Sequence, residues 1–177
     1  PVVAQGGRTG LVHSGDAAPL ELILSMERMA AIEEIDPIQR IAVVQCGVTL
    51  QALQEAADEH DLAFPLDLGA RGSCTLGGNV STNAGGNRVI RYGMTRDMVL
   101  GLEAVLADGT VMSSMNRMLK NNAAYDLKQL FIGSEGTLGI VTRLVLRLRE
   151  KPRSQDVALV GIGSFANAES KAAADFN

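Results

Sequence analysis

Gly77-Gly78-Asn79-Val80-Ser81-Thr82-Asn83-Ala84-Gly85-Gly86 is a run in which paired glycines bracket six small, mostly polar residues. It lies inside a longer stretch, Pro65 to Gly93, that holds seven glycines and few large side chains. Composition of that kind, taken alone, reads as a linker. Leu66, Leu68, Leu76, Val80 and Ile90 recur through it, however, and strongly patterned segments flank it. The stretch is therefore expected to be an ordered loop that wraps a ligand, since a loop this long inside a compact domain is usually functional.

Upstream, Pro1–Ala4 is short, apolar and β-branched and runs into Gln5-Gly6-Gly7-Arg8-Thr9-Gly10, a strand followed by a glycine loop. Glu21–Met26 and Ile41–Gln45 read as two more strands. Leu50, Leu53, Ala56 and Ala57 then repeat at helical spacing behind Thr49, which suits a helix cap. Downstream, Val99–Ala107 and Thr110–Ser113 flank Asp108-Gly109, a strong hairpin signal. Asp126–Phe131 reads as one or two helical turns, Gly133–Gly139 as another glycine loop and Ile140–Arg149 as a strand. Val157–Ile162 is a further candidate strand, and a helix is expected from Phe165 onward.

A chain of 177 residues, 46% hydrophobic and 20% charged, buries one core and reads as one unit. Its net charge of −4 and 3% aromatic content argue against a nucleic-acid partner. The longest apolar runs fall far short of the roughly 20 residues that span a bilayer. Cys46 and Cys74 have neither metal-ligand spacing nor the density of a disulfide scaffold, so free or buried thiols in a reducing cytoplasm or organelle matrix are expected. No metal site is expected. A start without Met on a strand already under way, and an end inside an element, suggest a chain truncated at both ends.

Glycine loops placed beside strands present backbone N–H groups that bind anions without basic side chains, so phosphates are the expected ligand. Neither Gly-x-Gly-x-x-Gly nor Gly-x-x-x-x-Gly-Lys-Ser/Thr occurs, which removes support for a nicotinamide Rossmann domain or a P-loop enzyme. Read from its residues alone, the 6–10 loop is a weak signal, and a plain connecting turn is as good an account.

Four ordered blocks carry a resemblance. Gln5 to Gly10, Pro65-Leu66-Asp67-Leu68-Gly69, Gly77 to Gly86 and Arg91-Tyr92-Gly93 together resemble the FAD-linked oxidase family, whose flavin domain is called the p-cresol methylhydroxylase type. Val99–Val111 and Tyr125–Ile140 are similar to its D-2-hydroxyacid dehydrogenase branch. The resemblance implies an α+β domain of two subdomains with FAD held between them, N-terminally truncated here. That domain would occupy residues 1–150, and 151–177 would begin the connection to an absent C-terminal substrate domain.

The resemblance also implies which residues meet non-covalent FAD. Gly6, Gly7, Arg8, Thr9, Gly10 and Leu11 would form the first loop, and Gly77, Gly78, Ser81, Asn83, Gly85 and Gly86 the second. Pro65, Leu68, Gly69 and Thr75 would line the route toward the isoalloxazine, with Tyr92 and Gly93 beside them. Gly136, Gly139, Ile140 and Val141 would contact the cofactor from the last loop and strand. Arg8 stands where some relatives have a histidine bonded to the flavin, hence non-covalent binding.

The implied function is oxidation of a D-2-hydroxy acid, of the D-2-hydroxyglutarate, D-lactate or glycolate kind, to the 2-oxo acid. The substrate would bind through the absent domain, so no catalytic residue is named, and the fragment is expected to be inactive. The alternative is a non-catalytic nucleotide-binding module or a subunit of a larger assembly, and homo-oligomers are possible through exposed apolar surface. Outside the loops, His13 reads as a surface side chain and His60 as a residue suited to a helix C-terminus. Asp67 and Glu135 read as solvated loop charges and Cys74 as a small buried residue. Arg143, Arg147 and Arg149 read as one exposed strand face.

Overall fold

The computed structural model describes residues 1–157. Strands β1 (Val2–Gln5) and β2 (Leu22–Ser25) pair in parallel, with Val2 opposite Leu22 and Gln5 opposite Ser25. There follow β3 (Ile32–Asp36), β4 (Ile41–Gln45), helix α1 (Leu50–Asp58), the two-residue strand β5 (Leu62–Ala63), helix α2 (Leu76–Ser81) and the single turn α3 (Val89–Tyr92). A 3-10 turn, Thr95–Met98, leads to β6 (Val99–Val105), β7 (Val111–Ser114), the turn α4 (Lys128–Phe131), β8 (Ile140–Arg147) and β9 (Arg149–Glu150). The helix expected from Phe165 lies outside the described residues, as does all but the first residue of the strand expected over Val157–Ile162.

Side-chain alternation fixes the main sheet, whose strand order is β3-β4-β8-β6-β7 with every pairing antiparallel. Ala42 and Val44 of β4, Leu102 and Ala104 of β6, and Leu144 and Leu146 of β8 point into one core. Ile41, Val43 and Val145 form a second apolar cluster with Leu100 and Met115 packed against it. Burial of four consecutive residues in β4 thus follows from cover on both faces. Covering one such Leu side chain contributes about 1.5–3 kcal/mol.

Helix α1 forms where its spacing predicts. Thr49 is its N-cap in an extended conformation, and its hydroxyl oxygen accepts from the Ala52 N–H at 3.2 Å. Leu50, Leu53 and Ala57 face the core. The Asp108-Gly109 hairpin also forms, with Val105 opposite Val111 and Gly109 at φ +86°.

Three expectations are corrected. The first half of the Gly77–Gly86 run is helix α2 and not loop. Two glycines each disfavour a helix by about 1 kcal/mol relative to Ala. Burial of Leu76 and Val80, at 1% and 0% exposure, outweighs that cost, and Thr75 caps the helix by accepting from the Gly78 N–H. Next, Arg143 stands half exposed but is already paired within the chain: its guanidinium grips both Glu33 oxygens and lies 3.7 Å from Glu103. Lastly, Asp67 is partly buried between Arg88, at 3.7 Å, and Arg71, at 3.9 Å, so it is not a solvated loop charge.

The two-part plan is present with unequal parts. The parallel β1–β2 pair stands apart from the five-stranded sheet, and the glycine loop that leaves β1 packs onto the segment leading into α2. A Cβ at Gly7 would collide with the Ser73 carbonyl oxygen, and one at Gly6 with the Thr75 hydroxyl. Only glycine permits that approach.

Candidate functional site

Between these parts lies a groove of about 510 Å³, inside the range of pockets that enclose small molecules and cofactors. One wall is the chain from Ala4 to Gly10 together with the turn His13–Asp16. The other is α2 with Cys46, Cys74 and Thr75, closed at one end by Glu135, Gly136 and the start of β8.

The walls differ in their backbone donors. Among the described residues, the N–H groups of Gly6, Gly7, Arg8, Thr9 and Gly10 donate to no acceptor in the chain. Arg8 sits at φ +54°, a left-handed residue in a glycine loop of the kind that gathers amides around an anion. Across the groove the first amides of α2 are used: Leu76 N–H donates to the Val48 carbonyl, Gly77 N–H to that of Cys46, and Asn79 N–H to that of Thr75. With Gly78 bonded to the Thr75 hydroxyl, α2 offers the groove no spare amide from its first turn.

Gly77 has a packing reason. A Cβ there would lie 2.6 Å from the Cys46 Cβ and 3.0 Å from the Cys46 carbonyl oxygen, so its absence lets α2 dock on the end of β4. The loop from Phe131 to Gly136 is tied to the same helix, Gly133 N–H donating to the Val80 carbonyl at 3.0 Å and Glu135 N–H to the Ser81 carbonyl at 2.8 Å. Arg96 braces it from behind through the Gln129 carbonyl and side chain and the Ile132 carbonyl.

Besides the thiols of Cys46 and Cys74, four ionisable side chains edge the groove: Arg8, His13, Asp16 and Glu135. His13 Nδ1 lies 3.2 Å from Asp16 on the surface, as expected of a surface histidine. Both thiols are buried, and burial pushes the Cys46 thiol up to about 11, so it stays protonated at neutral pH. Among the described residues no cluster of three His, Cys, Asp or Glu side chains is placed to hold a metal.

A family model described as an FAD binding domain matches residues 1–114. The chain belongs to this family. Its curated relatives include a mitochondrial D-2-hydroxyglutarate dehydrogenase of Danio rerio, 51% identical over 93% of this chain and 31% of its own length. A D-2-hydroxyglutarate dehydrogenase of Xanthomonas citri pv. viticola is 48% identical over 93% of this chain and 35% of its own. A putative mitochondrial D-lactate dehydrogenase of Schizosaccharomyces pombe is 44% identical over 94% and 32%. The chain spans about a third of the length of these relatives. Among solved structures, an alkyldihydroxyacetonephosphate synthase superposes with a TM-score of 0.76 at 25% identity, covering 86% of this chain and 28% of that one. The p-cresol methylhydroxylase-type fold expected from the sequence is the one found.

The FAD binding domain brings many of the expected residues to its groove: Gly6 to Gly10, Leu68, Thr75, Gly77, Gly78, Ser81, Gly136, Gly139, Ile140 and Val141. Leu11, Pro65, Gly69, Asn83, Gly85, Gly86, Tyr92 and Gly93 lie off its lining. Several of these hold the frame. Asn83, at φ +47°, accepts from the Arg96 N–H at 2.9 Å. Gly86 abuts the Asp67 backbone, Gly85 the Met94 sulfur, and Gly93, at φ +81°, the Asp97 carboxylate. Tyr92 carries the Arg91 guanidinium 5.2 Å above its ring, and Gly69 belongs to a separate depression beside α1. Leu11 is 93% exposed.

The sequence reading missed Met26, Cys46, Asn79, Thr82 and Ala84, which also line the groove. Asn79 had a signal, a polar residue two positions from the buried Gly77 and next to the apolar Val80. For Met26 and Cys46, the contact arises only when β2 and β4 meet α2.

The residues fit the group the family is named for. Free amides in one groove with the apolar side chains of Met26, Leu68, Ile140 and Val141 suit a molecule with a charged bridge and flat rings.

Proposed function

We propose that this chain is the FAD-holding part of a flavin-dependent dehydrogenase that oxidises a D-2-hydroxy acid to the 2-oxo acid. The observation that carries the reading is the row of five unpartnered amides, Gly6 to Gly10, in a groove that apolar side chains also line. In this reading those amides take the pyrophosphate, while Leu68, Thr75, Gly139, Ile140 and Val141 border the rest of the cofactor. The names of the Danio rerio and Xanthomonas citri relatives support D-2-hydroxyglutarate as the substrate class, with D-lactate and glycolate as neighbours.

Bound flavin supplies the hydride acceptor. The chain's own residues bind and orient it, keep water from its apolar wall and hold the Cys46 thiol neutral beside it. Substrate contacts and the base are assigned to a part of the enzyme beyond this chain, in keeping with the third of the relatives' length that it spans. Non-covalent attachment follows from Arg8, whose guanidinium is no nucleophile, and from the burial of both thiols. A reducing cytoplasm or mitochondrial matrix and self-association through exposed residues such as Leu22 and Ile23 complete the proposal. Among the described residues no helix is long and apolar enough to cross a membrane.

Purified chain titrated with FAD is expected to turn yellow and to quench flavin fluorescence at a one-to-one ratio, and acid precipitation to release all the flavin. A chain that stays colourless in excess FAD would overturn the cofactor reading. Dye reduction by the loaded chain with D-2-hydroxyglutarate, D-lactate or glycolate is expected to be absent. Turnover would place the substrate residues within this chain and overturn their assignment elsewhere.

A further inference from the structure

Asn79 is the one polar side chain of α2 that is almost wholly buried, at 4% exposure, yet it lines the groove. Its only hydrogen bond among the described residues runs from Nδ2 to the Cys74 sulfur at 3.7 Å, a long contact to a weak acceptor. Among the described residues, no buried side-chain oxygen or nitrogen that is fully shielded lacks a partner. The Asn79 carboxamide oxygen has no partner among the described residues, so it is not fully shielded, and the surface Asn79 reaches is the groove's. A buried carbonyl oxygen without a partner loses hydrogen-bond energy that only a ligand or water can restore.

The backbone fixes the side chain in place. Asn79 N–H donates to Thr75 and its carbonyl accepts from Ala84 N–H at 2.8 Å, so α2 and the turn after it hold the residue from both ends. The amide end is turned to the sulfur, which leaves the oxygen end for the groove. The Gly6 to Gly10 loop, with its free amides, lines the same groove. The loop therefore offers donors to an anion, and Asn79 adds a buried acceptor without a partner among the described residues.

We infer that Asn79 reads a hydrogen-bond donor of the bound nucleotide, an N–H or O–H outside its pyrophosphate; this rests on the FAD reading above. A pyrophosphate is an acceptor at neutral pH and gives Asn79 nothing. FAD has donors on both halves: a ring N–H and ribityl hydroxyls on the flavin side, ribose hydroxyls and an amine on the adenosine side. Asn79 is then a specificity residue that selects a nucleotide with a donor at this depth over a bare phosphate.

The test uses the 177-residue chain and three variants' worth of comparison: wild type, Asn79→Leu, which keeps the shape without the acceptor, and Asn79→Asp, which keeps an acceptor. FAD, riboflavin, adenosine and inorganic pyrophosphate are titrated against each, with thermal midpoints of the ligand-free proteins measured alongside. Asn79→Leu is expected to bind FAD about tenfold or more weakly, the worth of one buried hydrogen bond. Asn79→Asp is expected to stay within about fivefold of wild type on the same scale. A parallel loss with riboflavin and a changed shape of the visible flavin band place the donor on the flavin half; a parallel loss with adenosine places it on the other. Either supports the inference. Unchanged FAD affinity in Asn79→Leu, an equal loss in Asn79→Asp, or a loss confined to inorganic pyrophosphate overturns it. If Asn79→Leu fails to fold, Asn79→Ala replaces it as the variant without an acceptor, on the same terms. Wild-type chain that binds no FAD would instead sink the cofactor reading, and this inference with it.

Discussion

On the α2 side of the groove the amides of Leu76 to Asn79 are all used and Leu76 and Val80 are sealed, whereas on the β1–β2 side five amides stand free. Leu22, Ile23 and Leu24 of β2 are 65%, 50% and 41% exposed, while β4 is buried along four of its five residues. The contrast separates two tasks. One wall is built by packing and sets the shape of the groove; the other is built from conformationally free residues and supplies the donors. A site assembled this way keeps its geometry when the donor loop changes, but loses its anion chemistry.

The largest expected effect breaks the packed wall. Leu144→Ala removes a fully buried side chain at the centre of the five-stranded sheet and should lower unfolding free energy by about 2–5 kcal/mol. Leu24→Ala on β2 should change it by less than about 0.5 kcal/mol, as for a surface site. Urea denaturation of both reads the difference directly, and equal losses would show that the β1–β2 pair is buried in solution.

A sharper comparison uses one substitution at two glycines. Gly77→Ala forces a methyl against the Cys46 Cβ and should destabilise the chain by about 1–3 kcal/mol, the usual range for overpacking. Gly7→Ala meets the Ser73 carbonyl, so the loop must move off the segment leading into α2, losing that contact but no internal hydrogen bond. Its unfolding should shift by no more than that of Gly77→Ala, about 1–3 kcal/mol. FAD affinity should fall about tenfold or more as the amide row is displaced. If Gly7→Ala unfolds the chain instead, the loop is part of the core and the division between walls fails.

How far the sequence reveals this division depends on the range of the interactions involved. Strand β4, helix α1 with Thr49, the β6–β7 hairpin and β8 were legible because alternation, helical spacing and an Asp-Gly turn are local signals. Strand β3 was not, since Ile32-Glu33-Glu34-Ile35-Asp36 has no clean alternation and its two glutamates find partners in Arg143 and Arg117, far along the chain. Helix α2 was hidden by its own glycines, of which Gly77 is there for contact with Cys46 and not for flexibility. The same distinction sorts the candidate site. The loop Gly6 to Gly10, a weak signal from its own residues, lines the groove, while Asn83, Gly85 and Gly86 share its composition but serve Arg96, Met94 and Asp67.

The smallest effect probes the outer edge of the packed wall through Glu33. The hydrogen bonds from Arg143 hold its carboxyl below the ordinary value of 4.5, with burial opposing them and the charge of Arg143 adding to them. A carboxylate whose folded pKa is lowered stabilises the folded chain fully above its unfolded value, and that contribution is lost as pH falls through the folded one. Wild type should therefore exceed Glu33→Gln in urea midpoint at pH 7, by less than about 1 kcal/mol for so exposed a pair. The gap should close as pH drops below 4.5 and shrink in high salt. FAD affinity at pH 7 should be equal in the two proteins, because Glu33 and Arg143 lie off the groove. A gap that persists unchanged at pH 3 would mean that Glu33 acts through packing and not through its charge. A drop in FAD affinity would mean that the edge of the sheet and the amide row are mechanically coupled, against the independence of the two walls.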